Sequence, residues 1–73
     1  MPLTAKEVIR ALERGGWQQT RQNGSHVRLY HPKKPANSVT VSVHQGSEIP
    51  AGTLRAILRS AGLSQAEFKE LLK

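Results

Sequence analysis

Three histidines, His26, His31 and His44, are the side chains of this sequence that exchange protons readily near neutral pH. His26 follows Gly24-Ser25, His31 precedes Pro32, and His44 ends the alternating run that begins at Ser38. There is no Cys and no Asp. Thiol nucleophiles and thiolate zinc sites are therefore excluded, and three histidines without a carboxylate partner make a poor zinc site. Two-metal nucleases hold their ions with clustered carboxylates, usually including Asp. Glu7, Glu13, Glu48, Glu67 and Glu70 are scattered along the chain, so no such cluster is expected. The chemistry left to histidine is proton transfer. RNA is a substrate that needs little more, because its 2′-OH is its own nucleophile. A base must take that proton and an acid must protonate the departing 5′-oxygen, and histidine can do either.

Charge points the same way. Eleven Lys and Arg face five acids, a formal net charge of +6. Arg10, Arg14, Arg21, Arg28, Lys33 and Lys34 fall in a stretch whose one acid is Glu13. Such a stretch suits a polyanion or an acidic protein, and a merely solvated surface is the plain alternative. Lys6, Arg10 and Arg14 recur every four residues. Like charges at that spacing cost about 0.2–0.5 kcal/mol per pair in an isolated helix, a cost that a bound anion can offset. Arg28 is placed to steady the extra charge on a phosphorane.

The elements that must position these residues follow from pattern. With 73 residues the chain is read as one domain, 1–73. A domain this short buries only about 60% of its unfolded surface, so an open face suits it better than a deep pocket. Thr4-Ala5-Lys6-Glu7 is a capping box, with Leu3 and Val8 as its hydrophobic staple. The first helix carries Ala5, Val8, Ile9 and Leu12 inward and stops at Gly15-Gly16. Trp17–Gln22 reads as a polar strand and Asn23-Gly24 as a hairpin turn. In Ser25–His31, Val27 and Leu29 point one way; His26, Arg28 and Tyr30 point the other. Pro32–Asn37 reads as a loop with two basic residues, Lys33 and Lys34, at its middle. Ser38–His44 is a third strand, Val39, Val41 and Val43 inward, Thr40, Ser42 and His44 outward. A second helix starts near Pro50 or Ala51, buries Leu54, Ile57, Leu58 and Ala61, and stops at Gly62. Ser64-Gln65-Ala66-Glu67 caps a short last helix carrying Phe68, Leu71 and Leu72.

The predicted class is α+β: a three-stranded antiparallel sheet, α-β-β-β-α in order with a short extra C-terminal helix. The helices cover one face and leave a polar face open. Pairing across the Pro32–Asn37 loop would set Tyr30 opposite Thr40, Arg28 opposite Ser42 and His26 opposite His44. A slip of two residues would keep the faces and break the histidine pair. Tyr30 and Trp17 are both candidates for stacking on bases, although Trp17 after the helix stop reads better as a core anchor. An exposed histidine after Gly-Ser is, on spacing alone, more often an ordinary strand residue. The residues by themselves leave catalysis and simple binding both open.

A series of motifs then narrows the reading: Gly16-Trp17, Arg21-Gln22-Asn23-Gly24-Ser25-His26, His31-Pro32, Val39-Thr40-Val41 leading to His44, Gly52-Thr53-Leu54, Ile57-Leu58, Ala61-Gly62-Leu63-Ser64 and Glu67-Phe68. In order and spacing, over nearly the whole chain, this resembles the HicA toxin family. The resemblance implies a double-stranded-RNA-binding-domain-like fold and the activity of an mRNA interferase, the toxin of a type II toxin–antitoxin pair. It implies that the catalytic histidine is the one after Gly-Ser, here His26. It implies a HicB-type antitoxin as partner, covering the active face. One departure is visible: the family commonly has Pro two residues before the third-strand His, and here Ser42 stands there.

The expectations are then these. His26 is catalytic, with His44 and Tyr30 as auxiliary candidates. Lys6, Arg10, Arg14, Arg21, Ser25, Arg28, Lys33 and Lys34 contact RNA. Metal and cofactor are none. The partners are mRNA and the antitoxin. The absence of a leader-like or membrane-length apolar run points to the cytoplasm. A non-catalytic RNA-binding module of the same fold is the alternative.

Overall fold

The protein is described in a computed structural model that covers residues 3–43 and 48–72. In chain order the elements are β1 (Leu3–Thr4), α1 (Ala5–Arg14), β2 (Gln18–Asn23), β3 (His26–His31), β4 (Lys34–Ser42), β5 (Glu48–Ile49), α2 (Ala51–Ala61) and α3 (Gln65–Leu72). The main sheet is antiparallel with order β2-β3-β4, and the helices pack on one of its faces. The α+β class and the helix-strand-strand-strand-helix order read from the sequence are those of the structure.

The capping boxes explain where two helices begin. The Glu7 N–H donates to Thr4 Oγ1 at 3.3 Å and the Thr4 N–H to Glu7 Oε1 at 3.1 Å. Ser64 and Glu67 repeat the exchange at α3, at 3.1 and 2.9 Å. Each box satisfies two of the donors that a helix start leaves orphaned. Burial follows the apolar periods. Val8 and Leu12 of α1 meet Leu29 of β3 and Val39 and Val41 of β4 in the fully buried centre. Trp17, Val27, Ile57, Leu58, Ala61 and Phe68 complete the core. Trp17 is 3% exposed, so it is an anchor and not a stacking surface.

The register differs from the one expected. His26 pairs with Ser42, Arg28 with Thr40 and Tyr30 with Ser38. This is the two-residue slip: the faces stand, and the His26–His44 pairing does not. His44 itself lies outside the described residues. The reason is the connection. The expected loop over 32–37 is only a Pro32-Lys33 turn, and β4 already starts at Lys34, pairing with His31 before the ladder shifts register to Tyr30–Ser38. Lys34 is drawn into the sheet by its side chain, whose Nζ donates to the Ala61 carbonyl at the end of α2 (3.3 Å). A cation there satisfies an orphan carbonyl and complements the helix dipole. The first hairpin also turns one residue later than expected. Asn23 pairs with His26, so Gly24-Ser25 is the two-residue loop. Gly24 has φ of 62° and no described non-glycine residue has positive φ, the pattern of a II′ turn. β1 and β5 form an additional two-residue antiparallel pair, Leu3 with Ile49 and Thr4 with Glu48, that pattern reading did not reach.

His31, the end of the expected second strand, is the last residue of β3 and points to the helical side. Its Nε2 is 3.0 Å from the Gly15 carbonyl and its Nδ1 accepts from the Lys33 N–H at 3.0 Å. A carbonyl can only accept and a backbone N–H can only donate, so the ring is the Nε2–H tautomer. Its edge meets Trp17 with ring centroids 5.5 Å apart. Gly16, at φ of 98°, lies under it: a Cβ there would sit 2.8 Å from His31 Nε2. His31 thus joins the end of α1 to the end of β3 and is a structural histidine.

Replacing His31 with Ala removes two hydrogen bonds and an aromatic contact, and is expected to cost about 2–3 kcal/mol in a denaturant titration. The same change at exposed His26 is expected within about 0.5 kcal/mol of wild type. Equal losses at the two positions would contradict this division. At α3, the Ser64 N–H and hydroxyl, with the charge of Lys34, hold the Glu67 carboxyl below its ordinary pKa despite some opposing desolvation. A depressed carboxyl contributes stability that is present above its unfolded pKa and is lost as pH falls through the folded one. Acidification is therefore expected to weaken wild type more than Glu67→Gln in thermal melts across the acid range. Parallel curves would remove Glu67 from the acid limb.

Candidate nucleic-acid interface

β3 is the central strand, hydrogen-bonded on both sides, and it holds its outward residues in a fixed line. Residues directly opposite share a face, so the pairing defines three rows on the uncovered side. The first is Asn23, His26 and Ser42; the second Arg21, Arg28 and Thr40; the third Gln18, Tyr30 and Ser38. β2 contributes to all three because its ladder shifts register between Gln19 and Arg21. That bulge puts Gln18 and Arg21 on one face although they are three positions apart, an offset that in a regular strand would put them on opposite faces. Thr20 Oγ1 donates to the Arg28 carbonyl at 3.3 Å beside the irregularity.

His26 is the first residue of β3 and is exposed. Its turn is tied down: the Ser25 carbonyl accepts from the Val43 N–H at the end of β4, and Ser25 is half-buried. The position of His26 is set by the sheet and the turn, while its ring extends into solvent. Arg21 stands directly opposite Arg28, and both are exposed. Like charges directly opposite in a ladder, with Cβ atoms about 4.5–5.5 Å apart, destabilise it. No glutamate relieves them on the main sheet, since all five lie on α1, β5 and α3. The face is therefore an uncompensated pair of guanidiniums beside a histidine. Such an arrangement could receive a phosphodiester, with bidentate cations for the phosphate and a group able to carry a proton next to it.

The other expected residues are placed as follows. Arg21, Ser25, His26, Arg28 and Tyr30 are brought together on the sheet's open side or its bounding turn. Lys33 is exposed in the β3–β4 turn, at the Tyr30 end. Lys34 is turned to the helical side by its bond to Ala61. Lys6, Arg10 and Arg14 lie on α1, in the helical layer behind the sheet, where Arg14 Nη1 donates to the Leu71 carbonyl at 3.3 Å. Tyr30 sits two rows from His26, and its hydroxyl donates to Gln18 Oε1 at 3.3 Å. Asn23, Gln18, Thr40 and Ser42 belong to the face as well. Gln18 was missed because the bulge breaks simple alternation within β2, and Asn23 because it was read as part of the hairpin turn, which falls one residue later. Among the described residues there is no group of three or more His or Glu side chains able to hold a metal ion.

A protein-family model described as the HicA toxin of bacterial toxin–antitoxin matches residues 5–63. The chain belongs to the HicA toxin family. No curated protein matches it at the significance required. The matched span contains α1, the whole main sheet and α2, and ends before α3. A HicA chain is the toxin of a toxin–antitoxin pair, which implies a cognate antitoxin. No helix among the described residues is long and apolar enough to cross a membrane.

If Arg21 and Arg28 are set against each other to receive phosphate, removing one separates stability from binding. Arg28→Gln is expected to leave thermal stability unchanged or slightly raised at low salt. It is expected to reduce the salt dependence of single-stranded RNA binding by about 0.7 in log–log slope, the value for one lost phosphate contact. A destabilised variant with an unchanged salt slope would contradict the assignment.

Proposed function

We propose that this HicA toxin is a metal-independent endoribonuclease that cuts mRNA on the open face of its sheet, with His26 as the proton carrier. The observation that carries the reading is the placement of His26 one row from the Arg21–Arg28 pair, on a face with no carboxylate from the main sheet. A phosphodiester held by the guanidiniums lies beside the imidazole. His26 takes the proton from the substrate's 2′-OH. The 2′-oxygen bonds to phosphorus, the bond from phosphorus to the 5′-oxygen breaks, and that oxygen takes a proton from water. The products are a 2′,3′-cyclic phosphate and a 5′-hydroxyl. The imidazolium then returns its proton to solvent. The arginines stabilise the charge that grows on the phosphorane. In the cytoplasm such cutting stops translation and growth.

The antitoxin, on this reading a HicB-type protein, covers the same face. It relieves the Arg21–Arg28 repulsion with acidic side chains of its own. Lys6, Arg10 and Arg14 are then outlying contacts for RNA that extends past the sheet, and Lys33 a contact at its Tyr30 end.

One observation favours the alternative of a non-catalytic RNA-binding module. The His26 ring makes no hydrogen bond to any described residue, so none of those residues orients it. On the catalytic reading the substrate supplies that orientation. Purified protein incubated with RNA in excess EDTA is expected to cleave it. His26→Ala is expected to lose at least about 100-fold in rate, the scale of a general base, while still binding RNA. Binding with intact RNA in both samples would favour the module.

A further inference from the structure

Proton transfer and phosphate binding occupy the first two rows of the open face and leave the third, Gln18, Tyr30 and Ser38, without a role. We propose that Tyr30 and Gln18 form a nucleobase subsite that makes the toxin a reader of single-stranded RNA, an inference that rests on the RNA-cutting role of the same face.

Tyr30 is one of two large hydrophobic side chains exposed among the described residues, at 38%. The other, Leu72, is on α3. A tyrosine on the central strand of a sheet has apolar neighbours available on the helical side, yet the alternation that buries Leu29 puts Tyr30 outward. Its hydroxyl is anchored across the β2–β3 seam on Gln18 Oε1. The anchor limits the ring's freedom before anything binds, which lowers the entropic cost of stacking on it. It also occupies the amide oxygen of Gln18 and leaves the amide's N–H donors without a partner among the described residues. Those donors suit the carbonyl or ring-nitrogen acceptors of a base edge.

The spacing fits a chain running along β3. Tyr30 and His26 are four residues apart, about 13 Å at about 3.3 Å per strand residue. The Arg21–Arg28 row lies between them. A backbone crossing the guanidiniums therefore puts one phosphate at His26 and a neighbouring nucleotide's base, not the cut nucleotide's own, on Tyr30. A base must be unpaired to stack on a side chain, so duplex RNA is a poor fit here. Of the two roles expected for Tyr30, auxiliary to catalysis beside His44 or stacking surface for a base, this geometry favours the second and makes it a specificity residue.

The test compares a probe with bases and a probe without them. A short single-stranded 2′-O-methyl oligonucleotide, which lacks the nucleophile and stays intact, and inorganic polyphosphate are titrated against wild type, Tyr30→Leu, Tyr30→Phe, Gln18→Ala and Arg28→Gln. Tyr30→Leu is expected to bind the oligonucleotide about 10-fold more weakly, as for loss of one stacked base, and polyphosphate as wild type does. Tyr30→Phe keeps the ring and is expected to remain within about 2-fold on both. Arg28→Gln is expected to weaken both. Across homopolymer oligonucleotides, Gln18→Ala is expected to narrow the spread of affinities. Oligonucleotide binding by Tyr30→Leu equal to wild type overturns the subsite and leaves the basic row standing. Absence of binding to both probes by wild type overturns the subsite and the RNA-cutting reading together.

Discussion

One-sided burial governs this molecule. Val27, Leu29, Val39 and Val41 give the main sheet one apolar face, and α1, α2 and α3 supply enough apolar surface to cover that face. Nothing in the core demands anything of the other face. Its residues are polar, charged or aromatic, and they are held in rows by a backbone whose stability comes from the far side. In a chain of 73 residues this is an economical way to hold reactive groups still, because the strand that fixes His26, Arg28 and Tyr30 also carries Val27 and Leu29 into the core. The packing and the site share one element and do not compete for the same side chains.

Two of the three histidines show the division of labour. His31 has both ring nitrogens engaged, by the Gly15 carbonyl and the Lys33 N–H, and it touches Trp17. It belongs to the packing. His26, five residues earlier and therefore on the opposite face, has no such partners among the described residues. The Arg21–Arg28 pair is the mirror case of a local cost kept in the folded state. Two guanidiniums facing each other weaken the ladder. On the proposed reading a bound phosphate or an acidic antitoxin offsets that weakness, and the free toxin, the toxin on RNA and the toxin under its antitoxin would differ chiefly in what neutralises this row.

Much of the fold was legible in the sequence because it is written locally. Thr4 with Glu7 and Ser64 with Glu67 announced two helix starts, and the Val-Arg-Leu-Tyr alternation assigned the faces of β3 correctly. What was not legible depended on distant partners. Lys34 reads as a loop lysine until the Ala61 carbonyl, far along the chain, draws it into β4. That shortens the turn and slips the register by two residues. The bulge near Thr20 likewise breaks the alternation that would otherwise have placed Gln18 on the open face. The anchoring of His31 was hidden for the same reason, because one of the groups that hold it, the Gly15 carbonyl, lies at the end of α1. For the proposed site, the motif around Gly24-Ser25-His26 pointed to the histidine, but only the structure set Arg21 opposite Arg28 and put Lys6, Arg10 and Arg14 in the layer behind.

The central claim is that the open face uses the substrate's own 2′-OH, with His26 moving its proton. The chemistry of the new RNA ends tests this most directly. Mass analysis of the fragments released in EDTA is predicted to show 2′,3′-cyclic phosphate on one side of each cut and 5′-hydroxyl on the other. A single 2′-deoxy nucleotide at a cut position is predicted to abolish that cut alone. Fragments ending in 3′-hydroxyl and 5′-phosphate, or continued cutting at the deoxy position, would mean that water and not the 2′-OH is the nucleophile, and would contradict the account.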